Sequence, residues 1–227
     1  MRISKLAASL SVPTGAPFAA LPLAPALQLT LAELGCASVN PLQAAMLPAA
    51  LAGHDLIVQS PPGSGRVVAF AVALLHRLDQ RRFDVQALVL CPTRDRALRV
   101  TQRIREFVHA TRHVKVVTLS PGMAMRPQID SLIHGAHVVV GTPGRILDHI
   151  ESGSLDLRAV STLVLDETDK MLDMGFADDI VYAASRCPRG RQTLLFSSSC
   201  QGDLSPEMER LARHWLRKPQ HVFQLPV

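Results

Sequence analysis

The sequence lacks the features that mark membrane proteins and metal proteins. No apolar run approaches the ~20 residues that a helix needs to cross a bilayer, so no membrane partner is expected. The cysteines lie far apart, form no C-x-x-C pair and have no histidine at metal spacing, so a zinc site is not expected either. They are typical of reduced thiols in a cytosolic protein, which predicts a cytoplasmic location. These cysteines are Cys36, Cys91, Cys187 and Cys200.

Aromatic residues are scarce, and internal repeats and low-complexity linkers are missing. Aromatic side chains make up 4% of the chain, which leaves Phe18 as an isolated aromatic near the N-terminus. The 227 residues suit one α/β domain with a sizeable core, and the hydrophobic fraction of 48% argues against disorder. The net charge of +5 favours a polyanionic partner, although a mildly basic protein without one fits the charge equally well.

The first residues leave two interpretations open. Two basic residues precede an apolar stretch at 6–10, and no acidic residue occurs before Glu33, as in a signal or transit peptide. The apolar stretch is short, however, and Pro13 and Pro17 soon interrupt it, which favours an irregular segment. The predicted parts are a flexible N-terminal extension over residues 1–17 and one domain over residues 18–227.

Apolar runs alternate with helical patterns along the chain. Runs such as 87–91 are apolar throughout, which is typical of parallel strands buried on both faces of a sheet. The alternation predicts a doubly wound α/β domain, in which helices cover both faces of a parallel sheet. Ligands of such sheets bind beyond the carboxyl ends of the strands, where the unusual polar clusters of this sequence lie. The predicted strands cover residues 56–58, 87–91, 114–119, 137–140, 161–165, 193–196 and 221–224.

A glycine-rich turn joins the first predicted strand to a helix predicted over residues 67–78. This order is the context of a phosphate-binding loop, in which backbone N–H groups and the positive helix end surround an anion. The usual pattern G-x-x-x-x-G-K-[ST] is broken at three positions, by Ser60, Arg66 and Val67. A glycine turn without a ligand is the plainer alternative. The residues predicted to hold phosphate are Gly63, Ser64, Gly65, Arg66 and Val67.

Asp166 and Glu167 directly follow the apolar run 161–165. A carboxylate at a strand tip can hold Mg²⁺ through water, and a neighbouring glutamate can orient or deprotonate an attacking water. An acidic turn that caps the next helix is the alternative. Because a phosphate loop is predicted on another strand, we favour the interpretation that the acids form the second half of a nucleotide site.

Several motifs occur in the order that they have in one known family. Residues 164–176 read Val-Leu-Asp-Glu-Thr-Asp-Lys-Met-Leu-Asp-Met-Gly-Phe, and residues 88–94 read Leu-Val-Leu-Cys-Pro-Thr-Arg. From Phe18 to its end the chain resembles the first RecA-like domain of the DEAD-box ATP-dependent RNA helicases, and it looks nearest to the bacterial helicases that work on ribosomal RNA. The other matching stretches are 35–43, 60–67, Gly122, 142–145 and 197–199.

The resemblance implies a RecA-like sheet of the P-loop NTPase type, with ATP and Mg²⁺ as cofactors. The implied partner is RNA, with ribosomal RNA among the candidates, bound mainly through its phosphate backbone. The family's unwinding cycle closes two RecA-like domains around ATP and RNA. This chain ends at Val227, about where a first domain stops, so a second RecA-like domain outside the chain is expected as a partner.

The family's roles carry over to matching residues on the nucleotide side. Gln43 would bond to the adenine edge and Phe18 would stack on it; a polar helix face and a core anchor are the alternatives. Asp166 would hold Mg²⁺, and Glu167 would orient or deprotonate the attacking water. These two are therefore the expected catalytic residues. The residues that would couple ATP to RNA, by a bond from the aspartate to one of two serines, are Asp169, Ser197 and Ser199.

The residues implied on the RNA side lie on loops above the same sheet. Hydroxyls, backbone amides and arginines there suit phosphate contacts, which position a strand without reading its sequence. Capping residues and solvent-exposed arginines are the alternative. Arg96 stands where the family has leucine, so one contact of its segment is expected to be exposed or repacked. The implied RNA-binding residues are Thr93, Arg94, Gly122, Thr142, Gly144 and Arg145.

Departures in the phosphate loop predict weak or absent ATP hydrolysis. The planar fork of Arg66 is bulkier than the usual lysine, and Val67 removes the hydroxyl that normally binds Mg²⁺. Because phosphoryl transfer depends on positioning and electrostatics, one lost contact is costly in rate. We therefore weigh an RNA-helicase ATP-binding domain with weakened hydrolysis against a catalytically inactive RNA-binding module. A different P-loop ATPase is a third hypothesis, and the RNA-side motifs argue against it.

Overall fold

The computed structural model describes residues 12–109, 113–199 and 203–224. Within these ranges a seven-stranded sheet has the strand order β3-β4-β2-β5-β6-β1-β7, and each neighbouring pair is parallel. Each predicted strand overlaps an observed one, and the predicted parallel sheet is confirmed. The strands are β1 (Leu56–Gln59), β2 (Ala87–Leu90), β3 (Val116–Leu119), β4 (Val138–Gly141), β5 (Thr162–Leu165), β6 (Gln192–Ser197) and β7 (Gln220–Phe223).

Helices supply the crossovers that parallel strands require. Their starts follow local sequence: α2 begins at Pro41 after the N-cap Asn40, whose side chain accepts from Gln43 N. Thr93 caps α4 in the same way by accepting from Arg96 N. None of the helices in the described ranges has the length and apolar character needed to cross a bilayer. After a 3-10 turn (Phe18–Ala20) come α1 (Pro25–Glu33), α2 (Pro41–Leu51), α3 (Arg66–His76), α4 (Arg94–Val108), α5 (Met125–Ile133), α6 (Pro143–Glu151), α7 (Thr168–Asp173), α8 (Ala177–Arg186) and α9 (Pro206–Trp215).

Hydrophobic cores lie on both faces of the sheet. Alternate residues of β2 point to opposite sides, so Val89 packs in the core under α1 to α4 and Leu88 in the core under α6 to α9. Phe70 of α3 and Phe196 of β6 pack in the first core, with ring centroids 5.4 Å apart. Two covered faces explain why central strands such as β2 are apolar throughout, and they confirm the doubly wound prediction.

The domain begins earlier than the predicted boundary. The Gly15 N–H donates to Val39 O and the Val39 N–H donates to Ala16 O, each at 2.9 Å. Residues 15–17 therefore belong with the domain, because they pair with residues 38–39 in the loop that precedes α2. Residues 1–11 of the predicted extension lie outside the described residues.

One edge of the sheet collects the loops with unusual polar residues. All strands run parallel, so the loops that follow β1, β2, β4, β5 and β6 emerge at the same edge. The strand β1, which leads into the phosphate loop, is separated from β5, which leads into Asp166, only by β6. This order brings the glycine loop and the acid pair close enough for side chains to meet.

Candidate functional site

The loop after β1 has the backbone shape of an anion-binding turn. Gly63 and Gly65 both have φ of +82°, a left-handed conformation that favours glycine. Gly65 is the N-cap of α3, so the first N–H groups of α3 have no carbonyl partner within the helix and are available to an anion. The Ser64 hydroxyl donates to Ser60 Oγ at 3.1 Å, which ties the loop to the residue that follows β1.

Asn40 and Gln43, at the start of α2, also hold the loop. Asn40 Nδ2 donates to Ser64 O at 2.9 Å, and Gln43 Nε2 donates to Gly65 O at 3.4 Å. A Cβ atom at Gly65 would lie 2.4 Å from Asn40 Nδ2, so this position needs glycine for space as well as for φ. The sequence predicts that Asn40 caps a helix, but it does not indicate the contact between Asn40 and the phosphate loop.

The two residues predicted to contact adenine are both buried. Gln43 Oε1 accepts from Asn40 N at 3.0 Å, so both ends of the Gln43 amide are engaged. Phe18 is 3% exposed and packs in the larger core. A ring covered by the core has no free face for a base, so the structure gives Phe18 the alternative role of a core anchor. The adenine contact of Gln43 stays a prediction.

The side chain of Arg66 brings the phosphate loop and the acid pair together. Its Nη2 lies 2.5 Å from Glu167 Oε1, and its Nε lies 3.2 Å from Asp166 Oδ1. Arg66 is 2% exposed and Asp166 is 0% exposed. Glu167 has φ of +54°, a left-handed conformation that is strained for a residue with a side chain. The two predicted halves of the site do meet, and buried ion pairs join them.

Two further cations surround the acids. Arg96, in the first turn of α4, places Nε 2.6 Å from Asp166 Oδ2 and 3.5 Å from Glu167 Oε1. Lys170, in α7, places Nζ 2.8 Å from Glu167 Oε2. The sequence predicts only that the contact of Arg96 is exposed or repacked, and it does not indicate Asp166 as the partner. Arg96 reaches Asp166 because β2, which leads into α4, lies next to β5 in the sheet. We call this set the arginine–acid cluster; it consists of Arg66, Arg96, Asp166, Glu167 and Lys170.

The arginine–acid cluster carries three positive and two negative side chains. Burial raises the pKa of Glu167, but the hydrogen bond from Lys170 and the charges of Arg66 and Arg96 together bring that pKa below its ordinary value of 4.5. Burial lowers the pKa of Arg96, and the hydrogen bond and charge of Asp166 raise it above its ordinary value. Glu167 is thus ionised at neutral pH with its oxygens held by cations, which makes it a poor acceptor for a proton from water.

The acid pair does not fit Mg²⁺ in this arrangement. Mg²⁺ takes near-octahedral oxygen ligands at ~2.0–2.1 Å, whereas each Asp166 oxygen lies within 3.2 Å of a guanidinium nitrogen. Val67 has no hydroxyl at the position where the usual loop supplies one. In the part of the chain that the structure describes, no group of three or more His, Cys, Asp or Glu side chains is placed to hold a metal. In this arrangement the Asp166 carboxylate pairs with arginines, and its predicted metal role stays a prediction.

Asp169 bonds to the serine motif at the end of β6. The N–H of Ser199 donates to Asp169 Oδ2 at 3.1 Å, and the hydroxyl of Ser198 donates to the same oxygen at 2.5 Å. The Ser197 hydroxyl accepts from Ser199 N at 3.1 Å. The side-chain contact thus falls on the middle serine, which the motif did not single out, and Ser199 contributes its backbone. A cleft of about 530 Å³ adjoins this contact, between the end of β6 and α9.

The predicted RNA-side residues gather around the turn at 121–123. Gly122 has φ of +82°, and a Cβ atom there would lie 2.0 Å from Arg94 Nη1, so the Arg94 side chain passes directly beside the turn. Arg145 Nη1 donates to Met123 O at 3.0 Å. Arginines from α4 and α6 therefore border the same turn. We call this set the arginine turn; it consists of Arg94, residues 121–123 and Arg145.

The other RNA-side residues lie at helix starts. Thr93 Oγ1 accepts from Arg96 N at 3.2 Å, which gives its oxygen the capping role that the sequence left as an alternative. Thr142 is the N-cap of α6, and Gly144 lies in the first turn of that helix. Helix starts have N–H groups without partners in the helix, which suits a phosphate oxygen.

Two buried side chains that no motif indicates support the arginine turn. Gln128 Nε2 donates to Ser120 O at 3.1 Å and to Met123 O at 3.3 Å. Gln128 Oε1 lies 3.1 Å from His149 Nε2, and this network assigns the ring proton to that nitrogen. Both residues are isolated in the sequence, so only the fold brings them under the turn.

Comparisons with known proteins agree with this geometry. A family model described as DEAD/DEAH box helicase matches residues 40–205. ATP-dependent RNA helicase DbpA of Escherichia coli (strain K12) is 48% identical over 183 residues, which are 80% of this chain and 40% of that protein. ATP-dependent RNA helicase DeaD of the same strain is 40% identical over 205 residues, which are 90% of this chain and 32% of that protein.

The fold matches a solved structure as well. The crystal structure of a DEAD box protein from the hyperthermophile Methanococcus jannaschii superposes with a TM-score of 0.85 at 31% identity, over 91% of this chain and 55% of that chain. The chain spans less than half the length of the two curated relatives. The family match includes the arginine–acid cluster and the arginine turn. By sequence and by fold, this chain belongs to the DEAD/DEAH box helicase family, and its seven-stranded sheet is a RecA-like domain of that family.

Proposed function

We propose that this chain is the ATP-binding domain of an RNA helicase, with ATP at the phosphate loop and RNA at the arginine turn. The observation that carries the proposal is the shared position of the two sites at one edge of the sheet. The loops after β1 and β5 meet through Arg66, and the helices after β2 and β4 bring Arg94 and Arg145 to one turn. The named activity of DbpA and DeaD supports it.

RNA binding rests on contacts that suit phosphate. The exposed guanidinium of Arg94, the partly buried guanidinium of Arg145 and the helix-start N–H groups can hold a backbone without reading bases, so affinity should depend strongly on salt. Ribosomal RNA as the substrate and a second RecA-like domain that completes the ATP site belong to the same proposal. So does a cytoplasmic location, which the free thiols of Cys36, Cys91 and Cys187 support.

Weak hydrolysis is the second part of the proposal. An attacking water needs a carboxylate that can orient it or take its proton. Glu167 is engaged by Arg66 and Lys170, so a water has to compete with these cations for the carboxylate oxygens. Competition of this kind disturbs the positioning of the water in the transition state and is costly in rate.

The inactive RNA-binding module remains the second candidate function. The arginine–acid cluster favours it, because the pairing occupies both acids that catalysis would use. The arginine turn is unaffected by this pairing, so RNA binding does not require an active ATP site.

RNA-stimulated ATP hydrolysis separates the two candidates. The native chain should turn over slowly, and the triple variant Arg66→Lys, Val67→Thr, Arg96→Leu should be faster, because it frees the acids and restores a hydroxyl. Rescue with RNA binding intact favours the weakened helicase, whereas RNA binding without rescue favours the inactive module. Fast turnover of the native chain would contradict weak hydrolysis, and an absence of RNA binding in both proteins would contradict the RNA part of the proposal.

A further inference from the structure

We propose that Arg66 and Arg96 take the place of a divalent cation, so that this site binds the polyphosphate of a nucleotide without Mg²⁺. The inference rests on the proposed nucleotide binding and states how the charge of that ligand is balanced. It concerns two departures from the family's motifs, since Arg66 stands where the usual phosphate loop has lysine and Arg96 stands where the segment after β2 has leucine.

The first argument is charge and space. Arg66 and Arg96 together carry the two positive charges of a magnesium ion. They lie where that ion would have to bind, with Nε atoms 3.2 Å and 2.6 Å from the two oxygens of Asp166. An ion coordinated directly by the same oxygens, at ~2.0–2.1 Å, would need both guanidinium groups to leave. Val67 offers no oxygen that would favour the exchange.

The second argument is the hydrogen bonding of the two guanidinium groups. Arg66 Nη1 and Arg96 Nη2 are buried and have no hydrogen-bond partner within the described structure. A buried donor without an acceptor is costly, and arginine binds phosphate oxygens through paired N–H groups. These two nitrogens lack an acceptor, which an anion supplies and a metal ion does not. Asp166 Oδ1 is also buried without a hydrogen-bond partner, although the Arg66 Nε atom lies 3.2 Å from it.

The third argument is the position of Arg66 in the chain. It is the first residue of α3 and directly follows Gly65, the left-handed N-cap. The same eleven-residue helix therefore offers its free N–H groups and a guanidinium with an unused donor. Backbone and side chain both favour a multiply charged anion at this helix start.

Isothermal titration of the native chain tests the inference without any substitution. ATP is added once with MgCl₂ and once with EDTA in place of the metal. We expect the affinity in EDTA to equal or exceed the affinity with Mg²⁺. Binding that requires Mg²⁺ would overturn the inference and leave the proposed nucleotide binding intact. An absence of ATP binding under both conditions would overturn the proposed function, and the inference with it.

Inorganic tripolyphosphate separates the polyphosphate from the nucleoside. It shares the anion chemistry of ATP but has no base or sugar. In EDTA we expect it to compete with ATP for the native chain. If tripolyphosphate does not displace ATP, the arginines are not the polyphosphate site, and the inference fails.

The triple variant Arg66→Lys, Val67→Thr, Arg96→Leu should restore dependence on the metal. We expect its affinity for ATP to fall about tenfold or more when EDTA replaces Mg²⁺. Arg158→Leu is the matched control, because Arg158 is exposed, pairs with the nearby Asp156 and lies outside both sites. A triple variant that folds but is as insensitive to EDTA as the native chain would overturn the assignment to these residues.

Discussion

The arginine–acid cluster and the arginine turn lie at the same edge of the sheet and use the same residue type in different ways. In the cluster, Arg66 is buried and its charge is paired with Asp166 and Glu167. At the turn, Arg94 is exposed, and Arg145 donates to a backbone carbonyl. Arg66 of the arginine–acid cluster lies in buried ion pairs, whereas Arg94 and Arg145 of the arginine turn lie beside a glycine turn. Removal of an arginine should therefore affect folding in the first region and binding in the second.

Arg66→Met should have the largest effect on stability. The substitution removes one compensating charge from two buried carboxylates, and loss of one partner of a buried pair typically costs about 3–5 kcal/mol. Urea unfolding followed by circular dichroism measures the difference from the native free energy of unfolding. We expect a clearly lower unfolding midpoint with an unchanged slope.

Arg158→Met is the control for this substitution. Its guanidinium pairs with Asp156 on the surface, where solvent screens the charges, so the free energy of unfolding should stay unchanged. Equal losses in the two variants would show that burial does not distinguish the cluster from a surface pair.

Gly141→Ala should lower the free energy of unfolding on the RNA side through packing, without any change of charge. Gly141 ends β4, and a Cβ atom there would lie 2.5 Å from Leu119 O and 2.8 Å from Ile146 Cδ1. Because Leu119 O belongs to the backbone of the neighbouring strand, it cannot easily move away. Overpacking of this kind costs about 1–3 kcal/mol, measured again by urea unfolding. Gly190→Ala is the control, since a Cβ atom at Gly190 meets nothing within 4 Å.

Arg94→Ala should weaken RNA binding and leave stability unchanged. If Arg94 neutralises one phosphate, the slope of log affinity against log salt should become shallower by about 0.7 for a single strand. Fluorescence anisotropy of a labelled RNA over a salt series measures this slope. Arg210→Ala, on the exposed face of α9, should keep the native slope. If both variants have the native slope, Arg94 does not contact phosphate.

Much of the fold could be predicted because its signals are local. Strands buried on both faces are apolar at successive positions, and Asn40 with Pro41 fixes the start of α2. The helix predicted over 67–78 is observed at Arg66–His76, an error of two residues at its end. The start of the domain is harder to predict, because the hydrogen bonds of Gly15 and Ala16 reach Val39, far away in the sequence.

The candidate site was predictable only in part, for a similar reason. The glycine loop and the acid pair each follow a strand, so a parallel sheet brings them to one edge without further information. The contact of Arg96 with Asp166 depends on β2 lying next to β5, and the local sequence pattern does not predict strand order. The support that Gln128 gives to the turn has the same origin.

The two regions should also differ in their response to acid. Burial, with a smaller contribution from the charge of Arg145, lowers the pKa of His149 below its ordinary value of 6.5. The unfolded chain therefore takes up this proton first, and the stability that neutral His149 contributes is lost as pH falls below about 6.5. The pKa of Glu167 lies below 4.5, so the contribution of its ion pairs is present above about pH 4.5 and is lost as pH falls further.

Between these limits the RNA side should lose stability while the ion pairs of Glu167 persist. The test is His149→Gln, which cannot take up the proton and keeps a donor for Gln128. Urea unfolding at about pH 7 and about pH 5 should show a smaller acid-induced loss in this variant than in the native chain, by up to about 1.4 kcal/mol per pH unit. His137 and His221, whose pKa values burial also lowers, contribute equally to both proteins, so the difference isolates His149. Identical acid-induced losses would mean that His149 does not sense pH through this network, and the arginine turn would then be no more acid-sensitive than the cluster.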